Sequence, residues 1–458
     1  LPLPSPCRLT INYLESHPTT AFGRVINCSN QGHVMGTFGG ARCAGGIVGQ
    51  AEKTLIHNCA NTGTINTQHA GNSAYVGGLV ALATSGTSII NSINVGSVLD
   101  PTAISGALVG NNRFDCTVNN CFWKQTGVEP YIVDATGAND GTLLGCQTFG
   151  EAPGRLAAPV TIEGQTIEDL AEALNIWVVA NRGITGGNPF RRWASGSSEN
   201  YPAVITSYWT DEGNYETEWY SPGVSSFDID SAAKLAGVAV LVNNGVTFID
   251  QRIILSQNIA LDAHEWVPIG KPATVTASAQ VFSGIFDGNG KTIAGLYVDG
   301  DSAVESAGLF GVLANAVVVN TALSDADVMG MRTGGAIAGY SSEASIVANN
   351  SCRGLVGTPV TGSGDSSAGG IAGLISEGTQ LFNCWSDVVV DAAACGGIVG
   401  TSSANISDQI THCYWKQTGT SPYNLPAIAD GMTSNCYTFT EAPGLLDLPP
   451  GAPPLTLS

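Results

Sequence analysis

Residues 45–65 read GGIVGQAEKTLIHNCANTGTI. A Gly-flanked apolar run is followed by a polar loop, a short apolar run and a second run broken by Asn and Gly. The pattern returns as GGLVA at 77–81 and GALVG at 106–110. It comes back in the second half of the chain as GLFG at 308–311, GAIAG at 335–339, GGIAG at 369–373 and GGIVG at 396–400. The interval stays near thirty residues. Each period holds two or three strands of a few residues, too little to bury its own apolar face. Stacked copies bury it for one another, which is the logic of a solenoid. Equivalent residues of a parallel β-solenoid lie ~4.8 Å apart in successive rungs. Ile and Val of each run then point inward, and Gly admits close backbone approach. The alternative is a β-sandwich with coincidental Gly spacing.

Composition agrees with many short strands and tight turns. The 458 residues include 58 Gly and are 43% hydrophobic, with only 12% charged. That is too apolar for a disordered chain, and there is no collagen-like Gly period. With 17 basic against 37 acidic residues the net charge is −20, so no nucleic-acid partner is expected. No apolar run is long enough to span a membrane. The chain starts at Leu1, which fits removal of a targeting segment on secretion. Twelve Cys, without tight C-x-x-C pairs, suit disulfides in an oxidising, extracellular or cell-surface setting.

A longer phrase is also written twice. CFWKQTG at 121–127 leads to Cys146 and EAPG at 151–154; CYWKQTG at 413–419 leads to Cys436 and EAPG at 441–444. We read it as a terminator of each block. Trp123 and Trp415 plug the last rung, and Lys124 and Lys416 lie exposed beside it. Cys121–Cys146 and Cys413–Cys436 are the first disulfide candidates. Cys28 with Cys59, and Cys352 with Cys384, follow from their spacings of 31 and 32 residues, since stacked rungs bring Cα atoms inside the disulfide window.

The stretch VFSGIFDGNGKTIAGLYVDGDSAVESAGLFGVL at 281–313, with the Gly-run repeats after it, resembles GLUG-motif repeat proteins. Gly308, Leu309, Phe310 and Gly311 stand at the motif's core. The resemblance implies a secreted or cell-surface repeat protein, sometimes joined to IgA-peptidase-like enzymes. A peptidase does not carry over, because His264 in HEW has no second His four residues on.

Three domains are expected: a first solenoid over 1–155, a helix plus aromatic-rich linker module over 156–225, and a second solenoid over 226–458. The whole is mainly β. The spacing of Ile167, Leu170, Leu174 and Trp177 predicts a helix capped by Thr166, with Asp169 as its capping-box partner. Leu235, Val238 and Val242 predict another, from a Ser231 N-cap to a stop at Gly245. Both are read as caps over open solenoid ends or, equally, as ordinary packing helices. In the linker, Trp193, Trp209 and Trp219, with Tyr201, are candidates for stacking on sugar faces; the competing reading is a small aromatic core. Sequons fall at Asn27, Asn349 and Asn405. Asp287 and Asn289 in FDGNGK suggest a calcium loop, but a tight hairpin turn is the favoured reading.

No cluster of complementary catalytic groups stands out, so neither an enzyme nor a cofactor or metal is expected. The function expected is an extracellular structural protein that self-associates head to tail into a filament or surface fibre, with PPLTLS at 453–458 adding as a strand to a neighbour. The alternative is an adhesin fragment or carbohydrate-binding module with glycan partners.

Overall fold

The computed structural model describes residues 23–36, 43–67, 74–99, 104–124, 134–162, 165–181, 190–274, 278–300, 304–358, 366–376, 378–403, 409–417, 426–428 and 433–439. Asn405, Cys7 and the PPLTLS segment lie outside them. Two compact units divide at one point, Leu1–Ile205 and Thr206–Ser458. The expected middle module is therefore shared out: residues up to 205 belong to the first unit and the rest to the second.

Both units are parallel β-solenoids. In the first, Gly23–Ile26, Thr54–His57, Ser88–Ile90, Thr117–Asn119 and Thr142–Leu144 stack as one five-stranded sheet. Val25, Ile56, Ile89, Val118 and Leu143 align in register, and the middle three are fully buried. In the second, Ser226–Ile229, Arg252–Leu255, Ile285–Asp287, Val317–Val319, Ile346–Ala348, Gln380–Phe382 and Ile410–Thr411 stack likewise. Their inward column is Phe227, Ile253, Phe286, Val318, Val347, Leu381 and Ile410, all buried. Alternation along each strand gives one inward and one outward set, as period-two patterning requires. Parallel pairing from rung to rung excludes the sandwich.

The quoted Gly run makes a sharp corner. A Cβ on Gly45 would overlap the carbonyl oxygen of Val48, and one on Gly46 would overlap Gly78 O in the next rung. Any side chain at either position collides with backbone, which cannot move aside without breaking the stack.

Two helices form, and their roles differ. Helix α1 (Leu170–Ala180) starts after Asp169, whose side chain accepts from Glu172 N at 2.9 Å. Thr166 is not its cap, because it pairs with Thr161 in the antiparallel ribbon Arg155–Ile162/Gln165–Asp169 that closes the first unit's second sheet. Leu170, Leu174 and Val178 of α1 pack on Ile93, Phe122 and Phe149, which belong to three successive rungs. So α1 lies along the flank of the stack. Helix α2 (Ala232–Asn243) has Ser231 as N-cap, and Gly245 follows at φ 100°, as expected. It bridges the first two rungs of the second unit, and Leu235, Val238 and Val242 enter that unit's core.

Candidate functional site

Each rung turns from its first sheet to its second at one residue with φ near 50°. In the first unit these residues are Asn27, Asn58, Asn91 and Asn120, then Gly145; in the second they are Asn320, Asn349, Asn383, His412 and Asn435. Asn tolerates this left-handed conformation better than other side chains bearing a Cβ. Stacking places the amides in a ladder. Asn58 Nδ2 donates to Asn27 Oδ1 at 2.7 Å, Asn91 Nδ2 to Asn58 Oδ1 at 2.8 Å and Asn120 Nδ2 to Asn91 Oδ1 at 2.7 Å. In the second unit Asn383 Nδ2 donates to Asn349 Oδ1 at 2.6 Å and Asn349 Nδ2 to Asn320 Oδ1 at 3.2 Å. The ladder continues to Asp287, which accepts from Asn320 Nδ2 at 3.0 Å. Asp287 also accepts from Asn289 N at 2.8 Å and pairs with Arg252. These partners, with the hydrogen bonds from Asn320 and Asn289, hold its pKa below the ordinary value against the opposing effect of burial. The FDGNGK loop is therefore neither a calcium loop nor a hairpin. It is a rung corner whose carboxylate is spent on the stack.

The amides of the two units meet different surroundings. A ladder Asn uses one N–H along the column and has a second N–H and a carbonyl lone pair facing outward. In the first unit α1 and residues 190–193 take these groups. Asn91 Nδ2 donates to Leu174 O at 3.2 Å, Asn58 Nδ2 to Arg191 O at 2.8 Å, and Trp193 Nε1 donates to Asn58 Oδ1 at 2.6 Å. Arg191 N donates to Asn27 Oδ1 at 3.1 Å. Asn58 and Asn91 are fully buried in consequence. His57, one residue before the corner, lies against Trp177 and Phe190. Burial, helped by the nearby Arg24, pushes its pKa down to about 4.

In the second unit Asn349 and Asn383 are exposed, and no described helix covers them. The column just beyond the corner differs in kind as well. In the first unit it is Ser29, Ala60, Ile93, Phe122 and Gln147, of which the middle three are buried against α1. In the second it is Ser351, Trp385, Tyr414 and Tyr437, half-buried, with Phe382 37% exposed alongside. Arg353 sits over the Trp385 ring at 5.1 Å, and Lys416 pairs with Asp387 at 3.2 Å.

The residue after a corner points inward, and where it is Ser, Thr or Cys it caps the carbonyl two positions back. Ser92 Oγ donates to Ile90 O at 2.9 Å and Thr321 Oγ1 to Val319 O at 3.1 Å. Cys59, Cys121 and Cys413 do the same, to His57 O at 3.2 Å, Asn119 O at 3.2 Å and Thr411 O at 3.4 Å. Register stacks Cys28 on Cys59, and Cys121 on Cys146. Cys384, Cys413 and Cys436 make one unbroken column. All eleven described cysteines are thiols. Cys352 is not in that column. Its strand neighbours are Leu323 and Ser386, and the residue stacked on Cys384 in its rung is Asn350. The 32-residue spacing misled because this rung is 34 residues long, as the Asn349–Asn383 step shows.

The remaining sequence candidates are core or stack residues. Trp193 is 1% exposed and Trp209 9%, its Nε1 donating to Leu261 O at 2.9 Å. Trp219 is half-buried against Phe227, with its Nε1 on Glu216 O at 2.7 Å. Trp193 and Trp209 are no sugar platforms; the linker's few aliphatics leave its indoles to fill the core. Asn27 and Asn349 spend their amides on the ladder. Trp123 and Trp415 pack inward, but from the penultimate described rung, opposite Thr148 and Thr438. Lys124 and Lys416 are largely covered, at 21% and 17% side-chain exposure, because ion pairs with Glu151 and Asp387 hold them down. Sequence reasoning missed the Asn corners and the Trp385–Tyr414–Tyr437 column. The recurring Asn before Cys, Ser or Thr was the available signal.

Among the described residues no group of three or more His, Cys, Asp and Glu could hold a metal ion. No described helix is long and apolar enough to cross a membrane. The family described as the GLUG motif matches residues 40–66, which span the Gly45–Gly49 corner and the Asn58 corner. The chain carries a GLUG motif in its first unit. No curated protein and no solved structure matches it. Gly308–Gly311 forms the same kind of corner in the second unit, where a Cβ on Gly308 would overlap Gly335 O.

Proposed function

We propose that this GLUG-motif chain is an extracellular, non-catalytic structural protein whose copies join end to end into a filament or surface fibre. One observation carries the reading. The antiparallel ribbon Arg155–Asp169 closes the second sheet at the last rung of the first unit, and α2 with Trp219 and Tyr220 packs at the first rungs of the second. Among the described residues no helix or antiparallel strand covers the first rung of the first unit or the last rung of the second. Parallel edges of this kind template further strands. Joining unlike ends is a heterologous contact that propagates without closing.

The front edge can be blocked by design. Gly23 N and Asn27 N donate to Lys53 O and His57 O of the second rung. By alternation the N–H groups of Arg24 and Ile26 face the other way. Arg24→Pro removes an edge donor where Pro is tolerated. Wild-type protein should sediment as a concentration-dependent ladder and show fibres in negative stain, and Arg24→Pro should stay monomeric with an unchanged far-UV spectrum. Wild type that remains dispersed monomer at high concentration sinks the proposal.

A second reading, glycan contact, is favoured by the open face of the second unit. Trp385, Tyr414 and Tyr437 present amphipathic rings where the first unit has Ala60, Ile93 and Phe122 buried against a helix. Loss of glycan-array binding in Trp385→Ala, with Trp219→Ala unchanged, would support it.

A further inference from the structure

The corner columns hold chemistry that end-to-end assembly does not use. At the inward position after each corner the second unit has Thr321, Asn350, Cys384, Cys413 and Cys436, and the first has Cys28, Cys59, Ser92, Cys121 and Cys146. Ser92 divides the first column into two isolated thiol pairs; nothing divides the three thiols of the second. The remaining described cysteines have no such neighbour. Cys43 stacks on Tyr75, Cys395 on Ala368, Cys352 between Leu323 and Ser386, and Cys116, one residue before Thr117, between Thr87 and Gly141.

We propose that the stacked corner thiols are sites of oxidative modification, closing as the inter-rung disulfides Cys28–Cys59, Cys121–Cys146 and Cys413–Cys436, with Cys384 left as a buried thiol that competes for Cys413. Neighbouring rungs set Cα atoms ~4.8 Å apart, inside the ~4.4–6.8 Å that a disulfide spans. Register already sets thiol over thiol in each column, Cys28 beside Cys59, Cys121 beside Cys146, and Cys413 between Cys384 and Cys436. Closure needs one thiol of each pair to turn from its weak hydrogen bond to the carbonyl two residues back. No backbone has to move.

The oxidant is a small-molecule disulfide, RSSR. A protein thiolate attacks one sulfur, RS⁻ leaves, and a mixed disulfide remains. The partner loses its proton, attacks the protein sulfur and expels the second RS⁻. Two S–H bonds and one S–S bond are consumed; one protein S–S bond and two RSH are formed. In the first unit the first attacker in each pair is the half-buried member. The neighbouring Cys59 thiol holds the Cys28 pKa down, to about 7, which favours its thiolate as attacker. Cys146 is lowered in the same way by Cys121. In the second unit Cys436 is the half-buried member and Cys384 is fully buried, so RSSR reaches the Cys436 end, but Cys413 and burial push the Cys436 pKa up, so this bridge forms slowest. Cys413 then resolves towards Cys436 first.

The test is peptide mapping of the full chain by mass spectrometry without reduction, after reductive purification and incubation with oxidised glutathione. Three cross-linked peptide pairs are expected, 28/59, 121/146 and 413/436, with Cys384 alkylated only after denaturation. In Cys436→Ser the third bridge should move to 384/413. In Cys413→Ser both should vanish while the first unit's two bridges persist, which shows that oxidation worked, and an unchanged far-UV spectrum and thermal transition of the second unit show that the variant is folded. Full alkylation of all twelve cysteines after oxidation overturns the proposal. So does a 384/436 bridge in Cys413→Ser, since those residues stand two rungs apart, or bridges formed only between chains. Filament formation is read separately, so neither result decides the other.

Discussion

The Asn58 corner and the Asn349 corner share one backbone. Both residues sit at φ near 56° and both pass an amide N–H along a ladder. Yet Asn58 is fully buried and serves four partners, whereas Asn349 is exposed. The difference is α1 with its trailing segment to Trp193, which turns a structural corner of the first unit into an internal polar seam. What the second unit shows there is a row of amides between Phe382 and the Trp385–Tyr414–Tyr437 column. One repeat chemistry thus yields a glued flank in one unit and an open flank in the other.

The widest gap should come from removing the amide. Asn58→Ala orphans groups of Asn27, Asn91, Arg191 and Trp193 in a dry site, and should cost about 4 kcal/mol. Asn349→Ala strains the same left-handed corner but leaves its neighbours in water, and should cost about 1–2 kcal/mol. Urea unfolding followed unit by unit reads both. Equal losses would mean that the covering segment adds nothing. The Gly variants, which accept the corner conformation, separate strain from lost hydrogen bonds.

Acid sharpens the contrast next. His57 is neutral under Trp177 and Phe190, with its pKa near 4, against about 6.5 unfolded. Between those values the unfolded chain binds the extra proton, so stability present above pH 6.5 is lost as pH falls towards 4. The loss is at most about 3 kcal/mol. The first unit should melt earlier than the second in calorimetry at pH 4.5, and His57→Phe should flatten its profile. An unchanged profile in that variant would remove His57 as the cause.

The smallest effect concerns the two terminator lysines. Lys416→Met, opposite the partly covered Asp387, should cost about 1 kcal/mol. Lys124→Met should cost less, since Glu151 is open to solvent. A larger loss for Lys124 would show that its position over the Tyr201 ring, and not the ion pair, holds the terminator.

Much of this was legible in the chain. Gly45 and its copies Gly77, Gly106, Gly308, Gly335, Gly369 and Gly396 are local devices, because the first corner position admits no Cβ and is Gly in every copy, whereas the next position accepts Ala107 and Ala336 in some rungs. The helices were legible from apolar spacing, and the Cys121–Cys146 pair from its repetition. Register was not. Rung lengths vary, as the ladder steps of 29, 31, 33 and 34 residues show, so spacing alone placed Cys352 against Cys384 and left Cys413 with one neighbour instead of two. Nor was the fate of the linker indoles legible, since an aromatic-rich segment reads the same whether it fills a core or meets a sugar.

The sequence by itself determined the period, the corners, the inward apolar columns and the existence of two helices, all of which depend on residues a few positions apart. Only the tertiary structure decided which corners are covered, which thiols stack and which Trp residues are core. Those outcomes rest on α1 and residues 190–193 lying over strands some 80 to 160 residues earlier in the chain. Burial there is set by what lies over a residue, and the local sequence carries no record of it.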